Sequence, residues 1–297
     1  MSAPRPRLLI TGATGKQGGA VIDALLSASA PFDILALTRD ASSARARALA
    51  SKPKVTVVEG DLASIADALS KHGPIYGVFL VTVAGDAEAE ERLAKSVVAE
   101  AIKAGVEHFI FSSVDRGGAD RTDDNPTNVP HFASKHRAEV FLKEKSAGTQ
   151  MQWTILRPVG FMENLTPDFK GRAFISIWAG MGDKPLQIVS VRDIGLFAAA
   201  AFANLEAYKG RAISLGGDAL TVSQAAEVFK ATCGYNLPKT FWFVGPLVKF
   251  IHKDLGSMFE FLRVEGPGTN FPKYEPGDPK LQNFATWLTE TSGFKRK

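Results

Sequence analysis

The chain has 297 residues, 45% of them hydrophobic, so it can bury a large core and we do not expect disorder. Its 35 basic and 31 acidic residues are spread along the chain, with no basic block longer than the three residues at 295–297, so we expect no nucleic-acid partner. A single cysteine, Cys233, excludes an internal disulfide and is typical of a reducing compartment. No secretory signal precedes the first strand, and the longest apolar run, at 194–203, is too short to span a membrane. We therefore expect a cytoplasmic protein without a membrane association.

Near the N-terminus an apolar strand runs directly into a glycine-rich turn, and residues 8–19 read LLITGATGKQGG. In a dinucleotide-binding loop, Gly12 permits the tight turn, Gly15 lets the backbone approach a pyrophosphate, and Gly18 lets the next helix pack closely on the strand. The phosphates lie on the free N–H groups of that helix, which is predicted to begin near Lys16. Glycine triplets also occur in ordinary turns, but the strand that follows at the expected distance favours a cofactor site. The candidate contacts here are Gly12, Thr14, Gly15, Lys16, Gln17 and Gly18.

The second predicted strand, at 32–38, ends at Arg39, where NAD-selective proteins of this type carry an acidic residue. A guanidinium at this position pairs with a 2′-phosphate, so the sequence favours NADP(H). The alternative is that Arg39 is a solvated loop charge beside Asp40. Lys16, Arg45 and Arg47 either share the phosphate or face water.

Strands and helices then continue to alternate. The predicted elements are a helix at 41–51, a strand at 55–59, a helix at 65–71, a strand at 76–81, a helix at 87–104, a strand at 108–113, a helix at 132–147 and a strand at 153–158. This rhythm predicts an α/β fold with a doubly wound parallel Rossmann sheet. We expect the NADP(H)-binding domain to span 1–158, with its sheet completed by segments within 186–215, and a smaller mixed α/β lobe to span 159–297.

In such a sheet, ligands bind beyond the carboxyl ends of the strands. By position, residues 61–62 flank the adenine, residues 81–84 pass near the ribose and nicotinamide, and residues 112–115 border the reacting ring. Asp61 has an alternative role as a cap of the next helix. The candidate contacts from these loops are Asp61, Leu62, Val81, Thr82, Ser112 and Ser113.

Two later regions have a distinctive composition. Residues 116–130 are polar and rich in Gly, Asp, Asn, Thr and Pro, which predicts a surface loop placed to cover a pocket. Beyond residue 158 aromatic residues accumulate, either as the core of the C-terminal lobe or as the lining of a hydrophobic substrate pocket between lobes. These aromatic residues are Phe161, Phe169, Phe174, Trp178, Phe241, Trp242, Phe243, Phe250, Phe259 and Phe261.

Taken together, the motifs resemble those of the NmrA-like family, an atypical branch of the short-chain dehydrogenase/reductase superfamily. The resemblance covers nearly the whole chain and implies an NADP-preferring Rossmann domain with a small mixed C-terminal domain. It adds Pro158 and Phe161 to the candidate cofactor contacts. It leaves the activity open, because the family includes redox-sensing regulators that bind partner proteins and reductases of small molecules. The motifs lie at 11–19, 38–40, 58–62, 131–135, 156–164 and 191–195.

Short-chain reductases use a Tyr-x-x-x-Lys helix, in which the lysine orients the nicotinamide ribose and the tyrosine supplies a proton. Here Lys135 occupies the lysine position and His131 stands in place of the tyrosine. His131 lies on the same helical face as Lys135 and is a candidate proton donor near neutral pH. Its alternative role is packing or capping at the helix start. Related isoflavone-reductase-like proteins manage with the lysine alone, so we consider Lys135 and His131 as catalytic residues and Lys135 also as a cofactor contact.

The five histidines and one cysteine form no cluster with metal-ligand spacing, so we expect no metal. The sequence therefore predicts an NADP(H)-binding protein, acting as a monomer or homodimer, that reduces a small carbonyl or conjugated compound. The alternative is a catalytically silent NADP(H) sensor that controls the binding of a regulatory protein partner.

Overall fold

The computed structural model describes residues 5–83, 85–118, 120–241, 244–245, 253–266 and 273–296. The main sheet consists of β1 (Arg7–Ile10), β2 (Asp33–Thr38), β3 (Val55–Glu59), β4 (Gly77–Val81), β5 (His108–Ser112), β6 (Gln152–Pro158) and β9 (Arg211–Leu215). Its seven strands run parallel in the order β3-β2-β1-β4-β5-β6-β9. The predicted doubly wound parallel sheet is therefore confirmed.

Helices connect these strands. They are α1 (Lys16–Ser27), α2 (Ala44–Ala50), α3 (Ile65–His72), α4 (Ala87–Lys103), α5 (Pro130–Ser146), α6 (Phe169–Ala179), α7 (Val191–Ala203), α8 (Leu205–Tyr208), α9 (Val222–Cys233), α10 (Lys253–Val264) and α11 (Phe284–Glu290). Helix α5 begins two residues before its predicted start, because proline fits the first turn of a helix. None of the helices in the described ranges has the length and apolarity that a bilayer crossing requires.

Both faces of the main sheet are buried, as β1 illustrates. Leu8 and Ile10 pack on one face with α1 and α7, whereas Leu9 packs on the other face with α3, α4 and α5. This follows from the two-residue period of a strand, since successive side chains point to opposite faces. The first residues after each strand are therefore left at the open carboxyl edge, where a site can form.

A second, three-stranded sheet lies in the C-terminal part of the chain. It comprises β7 (Gly160–Phe161), β8 (Leu186–Val189) and β10 (Asp218–Leu220), with β8 parallel to β7 and antiparallel to β10. Of the segment 186–215, β9 completes the main sheet, whereas β8 belongs to this second sheet.

A separate apolar core accompanies the second sheet, and Trp178 is among its fully buried members. Cys233 is also buried in it. Two of the predicted aromatic residues, Phe169 and Phe241, are exposed instead. Three further aromatic residues of the predicted set, Trp242, Phe243 and Phe250, lie outside the described residues.

Candidate functional site

The glycine turn after β1 has the geometry that a phosphate-binding loop needs. Gly12 has a φ of +58°, which favours glycine, and its carbonyl accepts a hydrogen bond of 2.8 Å from the Gly15 amide. Helix α1 then begins at Lys16, and neither a side-chain cap nor an acidic residue in the first turn occupies its N-terminus. The backbone N–H groups of this first turn are thus available to an anion.

Three predicted contacts in or near this turn have structural partners of their own. A Cβ on Gly18 would lie 2.4 Å from the Gly12 carbonyl oxygen, so Gly18 serves the close packing of α1 on the turn. The ammonium of Lys16 donates to the Glu163 carbonyl at 2.9 Å, which ties α1 to the segment after β7. Ser112 is buried and donates to Gln17 Oε1 at 2.6 Å. In the structure, Gly18 thus serves the packing of α1, and the side chains of Lys16 and Ser112 are engaged with other parts of the protein.

A cavity of about 550 Å³ opens along the carboxyl ends of β1, β2, β3 and β4. We call it the arginine cavity, since Arg39 and Arg45 both border it. Of the predicted contacts, Gly12, Thr14, Gly15, Arg39, Asp61, Leu62, Val81 and Thr82 line it. Ala84, at the end of the predicted segment 81–84, lies outside the described residues.

Arg39 has no hydrogen bond or ion pair with any residue in the described ranges. Its neighbour Asp40 accepts hydrogen bonds from the amide and hydroxyl of Ser42, and these bonds lower the pKa of Asp40. Arg45 donates to the Thr14 carbonyl at 3.3 Å. Arg47, by contrast, donates to the carbonyl of Ser42. The Arg39 guanidinium is thus a solvent-exposed cation at the edge of the cavity, and its charge contributes to the lowered pKa of Asp61.

Asp61 combines the two roles considered for it. It lines the arginine cavity, and its Oδ1 accepts from the amides of Ala63 and Ser64 at 2.9 Å each. Hydrogen bonds from Ser64 are the main reason why the pKa of Asp61 is lowered. Asp61 therefore shapes the turn before α3 while its side chain stays charged.

A second cavity, of about 280 Å³, lies beyond β5 and β6 and is bounded by α5, β8 and α10. We call it the lysine cavity, because Lys135 lines it. Thr82 borders both cavities, so they adjoin at the end of β4. Of the predicted cofactor and catalytic residues, Gln17, Thr82, Ser113, His131, Lys135, Pro158 and Phe161 line this cavity. Phe174 and Phe259, from the predicted set of aromatic residues, also line it.

Lys135 is buried and held by two partners. Its ammonium lies 2.8 Å from Glu90 Oε1 and donates to Thr82 Oγ1 at 2.6 Å. It also lies 5.8 Å from the centre of the Phe111 ring, within the range of a cation–π contact. An ammonium has three N–H donors, so one is left without an acceptor among the described residues.

The sequence reasoning missed Glu90, which is 4% exposed. Its carboxylate accepts hydrogen bonds from Thr82 Oγ1 at 2.5 Å and from Ser134 Oγ at 3.0 Å, in addition to its ion pair with Lys135. A signal was present, since Glu90 falls on the buried face of α4. A carboxylate on a buried helical face needs a partner. The other members of that face are Ala94, Val97, Val98 and Ala101.

His131 is half-buried at the start of α5, and its ring forms no hydrogen bond with any described residue. Its Nδ1 atom is shielded from solvent. Burial is the main cause that lowers the pKa of His131 below its ordinary value of 6.5. The ring is therefore mainly neutral at pH 7, which counts against its predicted role as an acid near neutral pH.

The prediction that 116–130 forms a surface loop is wrong for its first residues. Arg116 is fully buried, and its guanidinium forms a two-pronged ion pair with Glu139 at 2.9 and 3.0 Å. Arg157 approaches the same carboxylate at 2.6 Å. Burial opposes ionisation of Glu139, but hydrogen bonds from both guanidiniums outweigh it, and the pKa is lowered. The polar composition thus reflects a buried ion-pair network as well as exposure.

Asp115, which directly precedes Arg116, is buried and holds the start of this loop through hydrogen bonds. Its Oδ1 accepts from the amides of Gly117 and Gly118, and its Oδ2 accepts from Ser214 Oγ at 2.5 Å. Asp115 lines the lysine cavity, as the predicted segment 112–115 requires, but its acceptors are already engaged. In the described residues, no group of three or more His, Cys, Asp or Glu side chains is arranged to hold a metal ion.

A glycine turn, an unpaired arginine after β2 and a buried lysine on α5 are thus arranged along one edge of a Rossmann sheet. The sequence model of the NmrA-like family matches residues 4–279. The chain belongs to the NmrA-like family. The resemblance inferred from the motifs is therefore confirmed.

This NmrA-like protein is similar to both enzymes and a regulator. It is 26% identical to the NmrA-like family domain-containing oxidoreductase FrzB of Cladobotryum sp, over 96% of this chain and 90% of that protein. The NADPH-dependent quinone oxidoreductase QOR2 of Escherichia coli, complexed with NADPH, aligns with a TM-score of 0.69, 20% identity, and coverage of 95% and 98% of the two chains. NmrA, a negative transcriptional regulator, aligns with a TM-score of 0.65, 17% identity, and coverage of 97% and 96%. At these identities, the two structures establish only the fold of the NmrA-like protein and say nothing about its activity.

Proposed function

We propose that this NmrA-like protein binds NADPH across the arginine and lysine cavities and reduces a small carbonyl or conjugated compound. The observation that carries the proposal is the fixed ammonium of Lys135. It lines the lysine cavity and donates to Thr82, which borders both cavities. A cation held at this junction is suited to act on a nucleotide and a substrate together.

The arginine cavity fits a nucleotide with a 2′-phosphate. Gly15 presents no side chain at the start of α1, so a pyrophosphate can approach the free amides of the first turn. Arg39 supplies an unpaired guanidinium at the end of β2, where a 2′-phosphate distinguishes NADPH from NADH. The NADPH complex of QOR2, which shares the fold, supports the same cofactor.

When bound, NADPH supplies a hydride to the substrate. Reduction of a carbonyl places negative charge on its oxygen, and the free N–H of Lys135 is available to stabilise that charge. A proton taken up from solvent then completes the alcohol. Glu90 and Thr82 hold the ammonium in place, so little reorganisation is required during the reaction. In this proposal Lys135 is the catalytic residue, and Glu90 positions it.

His131 takes a different part in the proposal from the one first considered. A proton donor acting near pH 7 needs a pKa close to that value, whereas burial lowers the pKa of His131. We therefore assign His131 to the wall of the lysine cavity, where a neutral ring offers one N–H for hydrogen bonding. The cavity is lined mainly by apolar side chains with a few polar ones, as is common for sites that bind small organic molecules.

A direct assay tests the proposal. The protein is mixed with NADPH and a panel of aldehydes, quinones and enones, and the absorbance of the reduced nicotinamide is followed. We expect oxidation of NADPH with at least one class of compound and weaker use of NADH. Tight NADPH binding without any oxidation would instead support the sensor, which controls a partner protein through its bound cofactor.

A further inference from the structure

Gln187 stands out in the wall of the lysine cavity as a buried amide. It belongs to β8, whose other three residues, Leu186, Ile188 and Val189, are apolar and buried. Gln187 is itself only 4% exposed, yet it borders the cavity. An apolar residue at this position would continue the pattern of the strand. The presence of a buried amide instead therefore indicates a specific role for Gln187.

The side-chain oxygen of Gln187 has no hydrogen-bond donor in the described part of the chain. Buried polar atoms in folded proteins are nearly always paired, because an unpaired one loses its bonds to water without replacement. Four side-chain atoms share this condition among the described residues, and two of them belong to residues that line the lysine cavity, Gln187 and His131. The unpaired groups are thus concentrated at the cavity where the substrate is proposed to bind.

The amide has the freedom to serve a ligand. The terminal torsion of a glutamine is broad, so the amide can rotate towards the cavity without leaving a favourable rotamer. Gln187 lies on the second sheet, whereas Lys135 lies on α5 beside the main sheet. A substrate that contacts both side chains would be held at two points, one on the second sheet and one on α5. These two contacts would fix its orientation in the cavity.

We propose that Gln187 determines substrate specificity by accepting a hydrogen bond from a hydroxyl or amino group of the substrate. This inference rests on the proposed function, since it assigns the lysine cavity to the substrate. It narrows the substrate class to carbonyl or conjugated compounds that carry such a donor at a distance from the reduced group. A site built around a polar partner discriminates strongly against analogues that lack the matching group, because its own polar atom is then left unpaired.

Matched compounds test the inference. Each set contains a hydroxylated aldehyde, quinone or enone, its deoxy analogue, and its methyl ether, which keeps the oxygen but loses the donor. We expect kcat/KM for the hydroxylated member to exceed that for both analogues by about tenfold or more. In Gln187→Leu, this preference should fall to near unity, because the hydroxylated member then loses the acceptor for its hydrogen bond.

Thermal unfolding separates recognition from a structural role. Leucine has a similar volume and no polar atoms, so Gln187→Leu should keep or raise the Tm of the free protein if the amide is unpaired there. A lower Tm together with an unchanged substrate preference would show that the amide serves the fold, and would overturn the proposal. The exposed residue Gln150, which borders neither of the two cavities and donates to the Gly105 carbonyl, provides a control as Gln150→Leu.

Binding measurements distinguish the failure of this inference from the failure of the proposed function. If no compound oxidises NADPH, the proposed reduction is wrong, but the same sets can be titrated against the protein with NADP⁺ by calorimetry. Tighter binding of the hydroxylated members, lost in Gln187→Leu, would still support the assignment of Gln187. Equal binding or turnover of all three members in the wild type would overturn it.

Discussion

The carboxylate of Glu90 on α4 lies 2.8 Å from the ammonium of Lys135 on α5, and both side chains are buried. Thr82 completes the arrangement, since it donates to Glu90 and accepts from Lys135. The pair thus joins two helices beside the end of β4. It gives the site a fixed cation at the boundary between its two cavities.

Replacement of this carboxylate should impair turnover. Glu90→Gln keeps an acceptor for Thr82 but removes the charge that holds Lys135, so we expect kcat to fall by about tenfold or more. Steady-state kinetics with NADPH and the best compound of the panel measures the change. The adjacent Glu91 pairs with Lys95 and Arg137 and borders neither of the two cavities, so Glu91→Gln should retain activity within about twofold. Equal activity of the two variants would refute a positioning role for Glu90.

Cofactor selectivity should depend on Arg39. Arg39→Ala removes a charged hydrogen bond to the 2′-phosphate worth roughly 1.5–3 kcal/mol, so NADPH affinity should fall by about tenfold to a hundredfold. Binding of NADH, which has no such phosphate, should change little. Titration calorimetry with both nucleotides gives the comparison, and Arg47→Ala serves as the control because Arg47 lines neither cavity. If both nucleotides lost affinity equally, Arg39 would be supporting the fold.

The phosphate turn should tolerate no side chain at Gly15. Gly15→Val places a branched side chain where the pyrophosphate must approach, and NADPH binding should disappear. A Cβ on Gly15 lies 3.1 Å from the Gly12 carbonyl oxygen, so a small adjustment accommodates it and the Tm of the free protein should change only slightly. On Gly19 the nearest atom would be 3.5 Å away, an ordinary contact, so Gly19→Ala should bind NADPH as the wild type does. Normal binding by Gly15→Val would exclude this turn as the phosphate site.

Much of the fold follows from periodicity in the sequence. The first six strands of the main sheet are short apolar runs between helices, and their predicted bounds differ from the observed ones by no more than a residue or so, as for 76–81 against Gly77–Val81. The seventh strand, β9, was expected only as part of the segment 186–215. The small second sheet was beyond such reasoning, because β7 and β10 have only two and three residues. Elements of that length carry no periodic signal and depend on tertiary contacts.

The site was predictable in part, for a related reason. Glycines and charged residues directly after strands reach the open edge of the sheet whatever the details of packing, as Gly15 and Arg39 illustrate. Contacts between side chains that are distant in the sequence cannot be predicted from local sequence patterns. The bond from Lys16 to the Glu163 carbonyl and the burial of Arg116 against Glu139 both join residues far apart in the chain. A polar segment therefore looks like a surface loop until its partners are known.

The stability of the protein should depend on pH through His108. The His108 ring is buried, and its Nε2 lies 2.9 Å from Thr154 Oγ1, whose own proton goes to the Tyr208 carbonyl. Nε2 is therefore the protonated nitrogen, and burial lowers the pKa of His108 from 6.5 to about 4. The unfolded chain takes up a proton near pH 6.5 and the folded chain only near pH 4. The stabilising contribution is thus complete above pH 6.5 and is lost as the pH falls towards 4.

A difference measurement isolates this effect. Asp193 acts in the opposite sense, since burial raises its pKa to about 6 and the fold favours its protonated form as the pH falls. In His108→Gln, an amide replaces the titrating ring while Asp193 stays the same. From pH 6.5 to 4, the free energy of unfolding of the wild type should fall by roughly 3 kcal/mol relative to the variant. Denaturant unfolding at several pH values provides the data, and a constant difference would contradict the assigned burial effect.

The central claim is that Lys135 acts on the reacting substrate, and Lys135→Met tests it most directly. We expect turnover of the best panel compound to fall by about a hundredfold, with a much smaller loss of NADPH affinity. Lys145→Met, on the exposed side of the same helix, is the control, and the double variant Glu90→Gln, Lys135→Met avoids leaving a buried carboxylate unpaired. Turnover that survives in both Lys135 variants would contradict the account, whereas its loss with NADPH still bound is the result that we predict.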